Sequence, residues 1–160
     1  MISVLVLLLL VIAGVYFDLK ERRIPNWITM PGLAAGLLLQ GFNGGAGGLL
    51  TALVGSAAGA ALLAIPFALG WLGGGDLKLL AAIGALMGIN FTLTTLLFSL
   101  AAGCIIAIAW LTVKRSLASS LRYMFLVWLP MPSAKPEALM APIPFGPAVG
   151  LGVFIAMFWR

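Results

Sequence analysis

Histidine is absent from this 160-residue chain, and cysteine occurs once, as Cys104. Without an imidazole, serine–histidine and cysteine–histidine mechanisms fall away, together with most metal sites. One cysteine inside an apolar run builds neither an internal disulfide nor a CxxC zinc site, and it is expected to pack as a small hydrophobe. Charge is also scarce: 8% of the residues are Asp, Glu, Lys or Arg, and only four are acidic. A soluble domain carries about a quarter charged residues. With 63% hydrophobic residues, the composition is that of an integral membrane protein.

Apolar runs recur along the whole length with no soluble block between them, and they approach the ~17 to 25 residues that cross a bilayer. They predict one all-α, polytopic membrane domain over 1–160, with six transmembrane helices near 2–17, 27–40, 48–69, 77–89, 92–113 and 141–159. No Lys or Arg precedes the first run, and charged, bulky residues follow it where a secretory signal has small ones, so it is read as a mature helix. Alternating crossings place the links 18–26, 71–76 and 114–140 on one side. With Lys78 just beyond its link, that side holds Lys20, Arg22, Arg23, Lys78, Lys114, Arg115, Arg122 and Lys135, eight of the nine basic residues. The positive-inside rule makes it cytoplasmic and both termini extracytoplasmic. The net charge of +5 is therefore a topology signal and not a nucleic-acid surface. The stretch 116–129 is too short to span and is expected to lie in the interface as an amphipathic helix.

Small residues repeat at four-residue spacing in Gly32 and Gly36, Gly55 and Gly59, and Gly84 and Gly88. Such pairs let membrane helices approach closely, and packing within the chain is expected ahead of a dimer interface. Pro31 and Pro66 fall inside apolar runs and are expected to kink them.

Asp18 and Asp76 stand at the ends of apolar runs, where a carboxylate is costly unless neutralised, paired or solvated; insertion scales give about 2.5 to 3.5 kcal/mol for one at a helix centre. Both fall on the cytoplasmic side of the predicted topology. Two carboxylates that approach closely do not both ionise easily, so one keeps its proton while the other is charged. The charged member can take a proton from water as it attacks a peptide carbonyl, and the protonated member can donate to the carbonyl oxygen. No cofactor or metal is required. The glycines of Gly73-Gly74-Gly75-Asp76 remove bulk where a backbone or substrate strand comes close, and Pro25-Asn26 suits the first turn of the next helix, with asparagine bonding its exposed amides. Either aspartate alone would read as a balance for Lys20, Arg22, Arg23 and Lys78. A small transporter or scaffold whose aspartates relay protons is the non-enzymatic alternative.

Taken together, these motifs resemble the prepilin peptidases, membrane aspartic proteases of type IV pilus and related secretion systems. That family pairs an aspartate, followed after six residues by Pro-Asn, with a later Gly-x-Gly-Asp. Asp18 with Pro25 and Asn26, and Gly73 and Gly75 with Asp76, match both motifs. The run Leu77-Lys78-Leu79-Leu80-Ala81-Ala82-Ile83-Gly84 and the segment Ile143-Pro144-Phe145-Gly146-Pro147 also look like the family. The resemblance implies that Asp18 and Asp76 form a catalytic dyad in the bacterial inner membrane. The implied substrate is the leader of a prepilin or pseudopilin, with a basic region kept in the cytoplasm and a cut just before the hydrophobic segment, commonly after a glycine. Membrane lipid is the other implied partner; neither the oligomeric state nor which aspartate is the base follows from the sequence.

Larger members of the family carry an additional N-terminal region with paired CxxC motifs and also methylate the new N-terminus. This chain shows no such motifs and resembles the short peptidases of tight-adherence, Flp-type pili, which implies cleavage and leaves methylation open. The presenilin and signal-peptide-peptidase group also uses Gly-x-Gly-Asp, but pairs it with Pro-Ala-Leu where this chain has Pro144-Phe145-Gly146-Pro147. Lys78 is expected to snorkel at a helix end, the alternatives being an action on Asp76 or on lipid headgroups. Glu21 is expected either to pair with Arg22 or Arg23 or to meet a basic leader. Pro144 and Gly146 are expected to shape the last helix beside the site.

Overall fold

A computed structural model describes residues 2–69, 72–113 and 145–159. Among the described residues all regular structure is helical, in five elements: α1 (Ile2–Glu21), α2 (Asn26–Ala68), α3 (Gly74–Met87), α4 (Ile89–Val113) and α5 (Gly146–Phe158). Among the described residues three helices are long and apolar enough to cross a membrane, at Ile2–Glu21, Asn26–Ala68 and Ile89–Ala109, and Gly146–Phe158 is a shorter apolar helix.

The two runs expected at 27–40 and 48–69 are the two helical arms of α2, which meet at a break inside the expected link 41–47. The only non-helical dihedrals inside it are those of Gly45, with φ 56° and ψ −138°, a conformation open to a residue without Cβ. The chain reverses there. Before the break, Gly36 lies against Ala85 and Leu86, and the Gln40 side-chain amide donates to the Leu86 carbonyl at 3.0 Å. Beyond it, Gly55 meets Gly84, Gly59 meets Leu80, and Phe67 meets Gly74. The first arm of α2 thus runs along α3 in the same direction and the second runs back. Pro31 and Pro66, expected to kink their runs, keep helical dihedrals within α2. Each removes one backbone donor, whereas glycine alone reaches a positive φ without strain.

Helix α3 lies at the centre of this arrangement. Every residue from Leu79 to Leu86 is buried, as expected of a helix that is apolar all round. Its Leu79, Leu80, Ile83 and Leu86 share a core with Leu7 and Leu10 of α1, Ile28 and Leu63 of α2, Leu96 of α4, and Val149 and Val153 of α5. The paired glycines do what their spacing suggests within the chain: a Cβ on Gly32 would press on Leu10, and those on Gly55 and Gly84 would run into each other's carbonyl oxygens. On the outside, α1 exposes Leu5, Leu9, Ile12, Tyr16 and Leu19, a stripe suited to lipid. Cys104 is likewise exposed and not packed.

One further seam was not foreseen. Thr92, Thr95 and Ser99 of α4 are fully buried, with Gly152 of α5 set against Ser99 and the Thr95 carbonyl. Thr92 and Ser99 donate back to the carbonyls of Gly88 and Thr95, at 2.8 and 2.6 Å. In an apolar run these two hydroxyls satisfy themselves locally and leave room for the neighbouring helix, whereas the buried Thr95 hydroxyl has no partner among the described residues. The link 114–140, its helix expected at 116–129, and the start of the last helix at 141–144, with Pro144, lie outside the described residues.

Candidate active site

The end of α1 and the starts of α2, α3 and α5 converge at one end of the molecule. Helix α1 continues one turn past the expected boundary to Glu21, which places Asp18 in its last turn. The helix is closed by Arg22, whose φ is 54° and whose amide donates to the Asp18 carbonyl at 2.9 Å, a left-handed cap that satisfies an otherwise orphaned carbonyl. Glu21, Arg22 and Arg23 are exposed, while Ile24 turns inward. Pro25 then takes an extended conformation (φ −71°, ψ 146°) as the cap residue of α2, and its carbonyl accepts from the Ile28 amide at 3.1 Å.

Asn26 does not fill the capping role expected of it, since the start of α2 has no side-chain cap. Its Oδ1 instead accepts a 2.8 Å hydrogen bond from Lys78 Nζ. Lys78 therefore links the two aspartate motifs where an unattached, snorkelling side chain was expected.

Asp76 sits in the first turn of α3 behind the cap residue Gly73, and its amide donates to the Gly73 carbonyl at 3.2 Å. The glycines of the motif have unequal reasons to be small. A Cβ on Gly75 would fall 2.9 Å from Ile24 Cβ and 3.1 Å from its amide nitrogen, whereas one on Gly73 would meet Asp76 Oδ2 at an ordinary 3.6 Å. Gly75 is the point at which the start of α3 slides under the backbone that leaves α1.

Gly146 proves to be more than a shaper of α5. Its amide donates to Asp18 Oδ2 at 2.7 Å, and a Cβ there would lie 2.7 Å from that oxygen and 2.8 Å from Asp18 Cβ. The first residue of α5 thus directs a backbone donor, and the positive end of the helix, at the carboxylate. Sequence reasoning placed Gly146 near the site but had no means of finding this bond; its signal was a glycine beside proline at a helix start.

Both carboxylates are withdrawn from the surface, with Asp18 6% and Asp76 7% exposed. Asp76, one residue ahead of the apolar run that begins at Leu77, is raised from its usual 3.8 to about 7, first by burial and then by the negative charge of Asp18, with the Gly73 amide acting the other way. Asp76 Oδ1 has no hydrogen-bond partner among the described residues. A buried carboxyl of this kind retains its proton close to neutrality and has an oxygen free for a further partner. Among the described residues, no three Cys, Asp or Glu side chains come together as metal ligands would.

Compared with known proteins, the chain matches the type IV leader peptidase family over residues 5–108, a stretch that holds both aspartates. It is 30% identical over 168 residues to a prepilin leader peptidase/N-methyltransferase of Aeromonas salmonicida (strain A449), covering 99% of this chain and 49% of the relative. A protein of the same name from Bacillus subtilis (strain 168) is 30% identical over 98% of this chain and 55% of its own length, and one from Xanthomonas campestris is 28% identical over 89% and 44%. The chain therefore spans about half the length of the curated relatives it matches. No solved structure matches it.

Proposed function

Because the chain belongs to the type IV leader peptidase family, we propose that it is an aspartic endopeptidase of the bacterial inner membrane that removes the leader of type IV prepilins or pseudopilins, with Asp18 and Asp76 as its catalytic pair. The observation that carries this reading is the convergence of two carboxylates, 58 positions apart in the sequence (76 − 18), in one buried site where the charge of Asp18 acts on Asp76.

In the proposed reaction Asp76, which holds its proton to about pH 7, is the acid, and Asp18 is the base. Asp18 takes a proton from a water molecule, whose oxygen bonds to the scissile carbonyl carbon while Asp76 gives its proton to the carbonyl oxygen. The resulting diol collapses as one of its hydroxyl protons returns to the Asp76 carboxylate. The proton now on Asp18 passes to the departing amine, and the C–N bond breaks. Both carboxyl groups end as they began. The Gly146 amide steadies Asp18 throughout, and the Oδ1 of Asp76, buried and without a partner among the described residues, is the oxygen left to bond the substrate carbonyl once a leader enters the site.

The topology that fits is six spanning segments with both termini extracytoplasmic, α2 supplying two of them through its reversal at Gly45. Asp18 and Asp76 then lie at the cytoplasmic boundary, where a basic leader arrives. The same placement favours a cut at the membrane edge over one within the bilayer.

The test is a leader-cleavage assay with the purified protein in liposomes and a candidate prepilin from the same genome, wild type beside Asp18→Asn and Asp76→Asn. A single cut before the hydrophobic segment, lost in both folded variants, is the expected result. Undiminished cutting by either variant removes that residue from the pair, and no cutting by the wild type overturns the peptidase reading in favour of a transporter or scaffold.

A further inference from the structure

The Lys78–Asn26 hydrogen bond stands out because general electrostatics do not account for it. Asn26 is the first residue of α2 and Lys78 lies just past the first turn of α3, so the ammonium sits near the positive ends of two helices, where a cation is disfavoured. Its partner is a neutral amide oxygen at 2.8 Å, and no carboxylate among the described residues pairs with it to offset the unfavourable placement. A lysine with only its own solvation to satisfy would extend away from both helix starts into water or headgroups.

The surroundings show what the bond joins. Three residues before Lys78, Gly75 is in backbone-level contact with Ile24; two residues after Ile24 comes Asn26. The segments 24–26 and 75–78 are therefore fastened at two points, and Asp76 lies between them. Upstream, the same connection is set by the left-handed Arg22, whose amide bonds the carbonyl of Asp18. A shift of the α2 start relative to the α3 start would move Asp76 against Asp18 by a comparable amount.

We propose that Lys78 and Asn26 form a latch between the two aspartate motifs, positioning residues that hold the Asp76 turn in register with Asp18. Lys78 works through the placement of Asp76 and not by touching substrate. The catalytic role of the latch rests on the peptidase reading above; its mechanical role does not.

The experiment compares the full chain in liposomes as wild type, Lys78→Met, Asn26→Leu, the double variant and Asn26→Asp, each measured for leader cleavage and for amide hydrogen exchange over 22–26 and 73–78. The latch predicts that each single change lowers kcat by about two- to tenfold, the range for losing one solvent-exposed hydrogen bond, with KM nearly unchanged. The double variant falls no further than the worse single one, because both changes break the same bond. Asn26→Asp, which keeps an acceptor for Lys78, retains kcat close to the wild type. Exchange rises in both segments for either single variant, although each residue lies in only one of them. A rise in KM confined to Lys78→Met would overturn the proposal by making the lysine a substrate contact, as would losses that multiply in the double variant or exchange that rises only beside the mutated residue. If the wild type cuts no leader but the exchange coupling is present, the peptidase reading fails and the latch stands. If it cuts the leader and the coupling is missing, the latch fails and the peptidase reading stands.

Discussion

The amide of Gly146 donates to Oδ2 of Asp18 at 2.7 Å across 128 positions of sequence, and it can do so only because position 146 has no side chain. A Cβ would lie 2.7 Å from the same oxygen, so Gly146→Ala must push α5 away from α1 or turn the carboxylate. The expected outcome is a loss of leader cleavage of about a hundredfold, the scale on which ångström-level misplacement acts, with the helical circular dichroism of the wild type retained. Unchanged kcat in this variant would show that the bond is not needed for the reaction.

Raising Asp76 to about 7 through burial and the Asp18 charge ties activity to pH in a defined direction. If Asp76 is the acid, kcat/KM declines above pH 7 by roughly tenfold per further unit, as its protonated fraction does. Stability follows the same sign. The folded value lies above the usual 3.8, so the folded protein holds this proton more tightly than the unfolded chain does. That contribution is complete below the unfolded value and is lost as pH rises through about 7. Unfolding in detergent at stepped pH should show Asp76→Asn losing most of this decline; a variant with the same pH dependence as the wild type would assign it to another group.

The positions of Asp18 and Asp76 were legible because a carboxylate at the end of an apolar run is costly enough to need a local reason, and each stood in a short motif that supplied one. The intramolecular use of the glycine pairs was legible for a similar reason, since close approach requires small residues at fixed spacing. Other features were not local and could not be read. Nothing near Asn26 reveals that its side chain would be taken by Lys78, 52 positions away, in place of capping its own helix. The glycine-rich link 41–47 marks where the chain turns back, but not that a single residue, Gly45, carries the non-helical dihedrals of the break. The exposure of Cys104 is likewise not legible, because in a chain 63% hydrophobic apolar periodicity does not separate a lipid-facing side from a protein-facing one.

The two outer glycines of Gly73-Gly74-Gly75 should separate cleanly. Alanine at 75 places Cβ 2.9 Å from that of Ile24 and close to its backbone, a crowding of the kind that costs about 1–3 kcal/mol. Alanine at 73 meets only an ordinary contact with Asp76 Oδ2, and with φ at −75° and ψ at 147° it should change stability by no more than about 0.5 kcal/mol. Denaturant or thermal unfolding of the two variants side by side checks the difference. Equal losses would mean that Gly73 is held to glycine by something other than the packing of the folded chain.

Where α2 and α3 cross, Gly55 and Gly84 face each other so closely that a Cβ on either would run into the carbonyl oxygen of the other. Carbonyl groups engaged in helical hydrogen bonds do not swing aside, so the relief for Gly55→Ala or Gly84→Ala is separation of the helices. That opens the tightest packing around the segment that carries Asp76. Each single variant should lose about 1–3 kcal/mol, and the double variant less than the sum, because the first alanine already sets the spacing that the second needs. Gly44→Ala is the control, with nothing within 4 Å of its Cβ and no comparable loss expected. The same glycines would serve a dimer differently: their substitution would then weaken association while leaving the unfolding of the single chain unchanged. Unfolding measured beside sedimentation of the same samples decides between the two, and the contact between Gly55 and Gly84 predicts that unfolding is the property that moves.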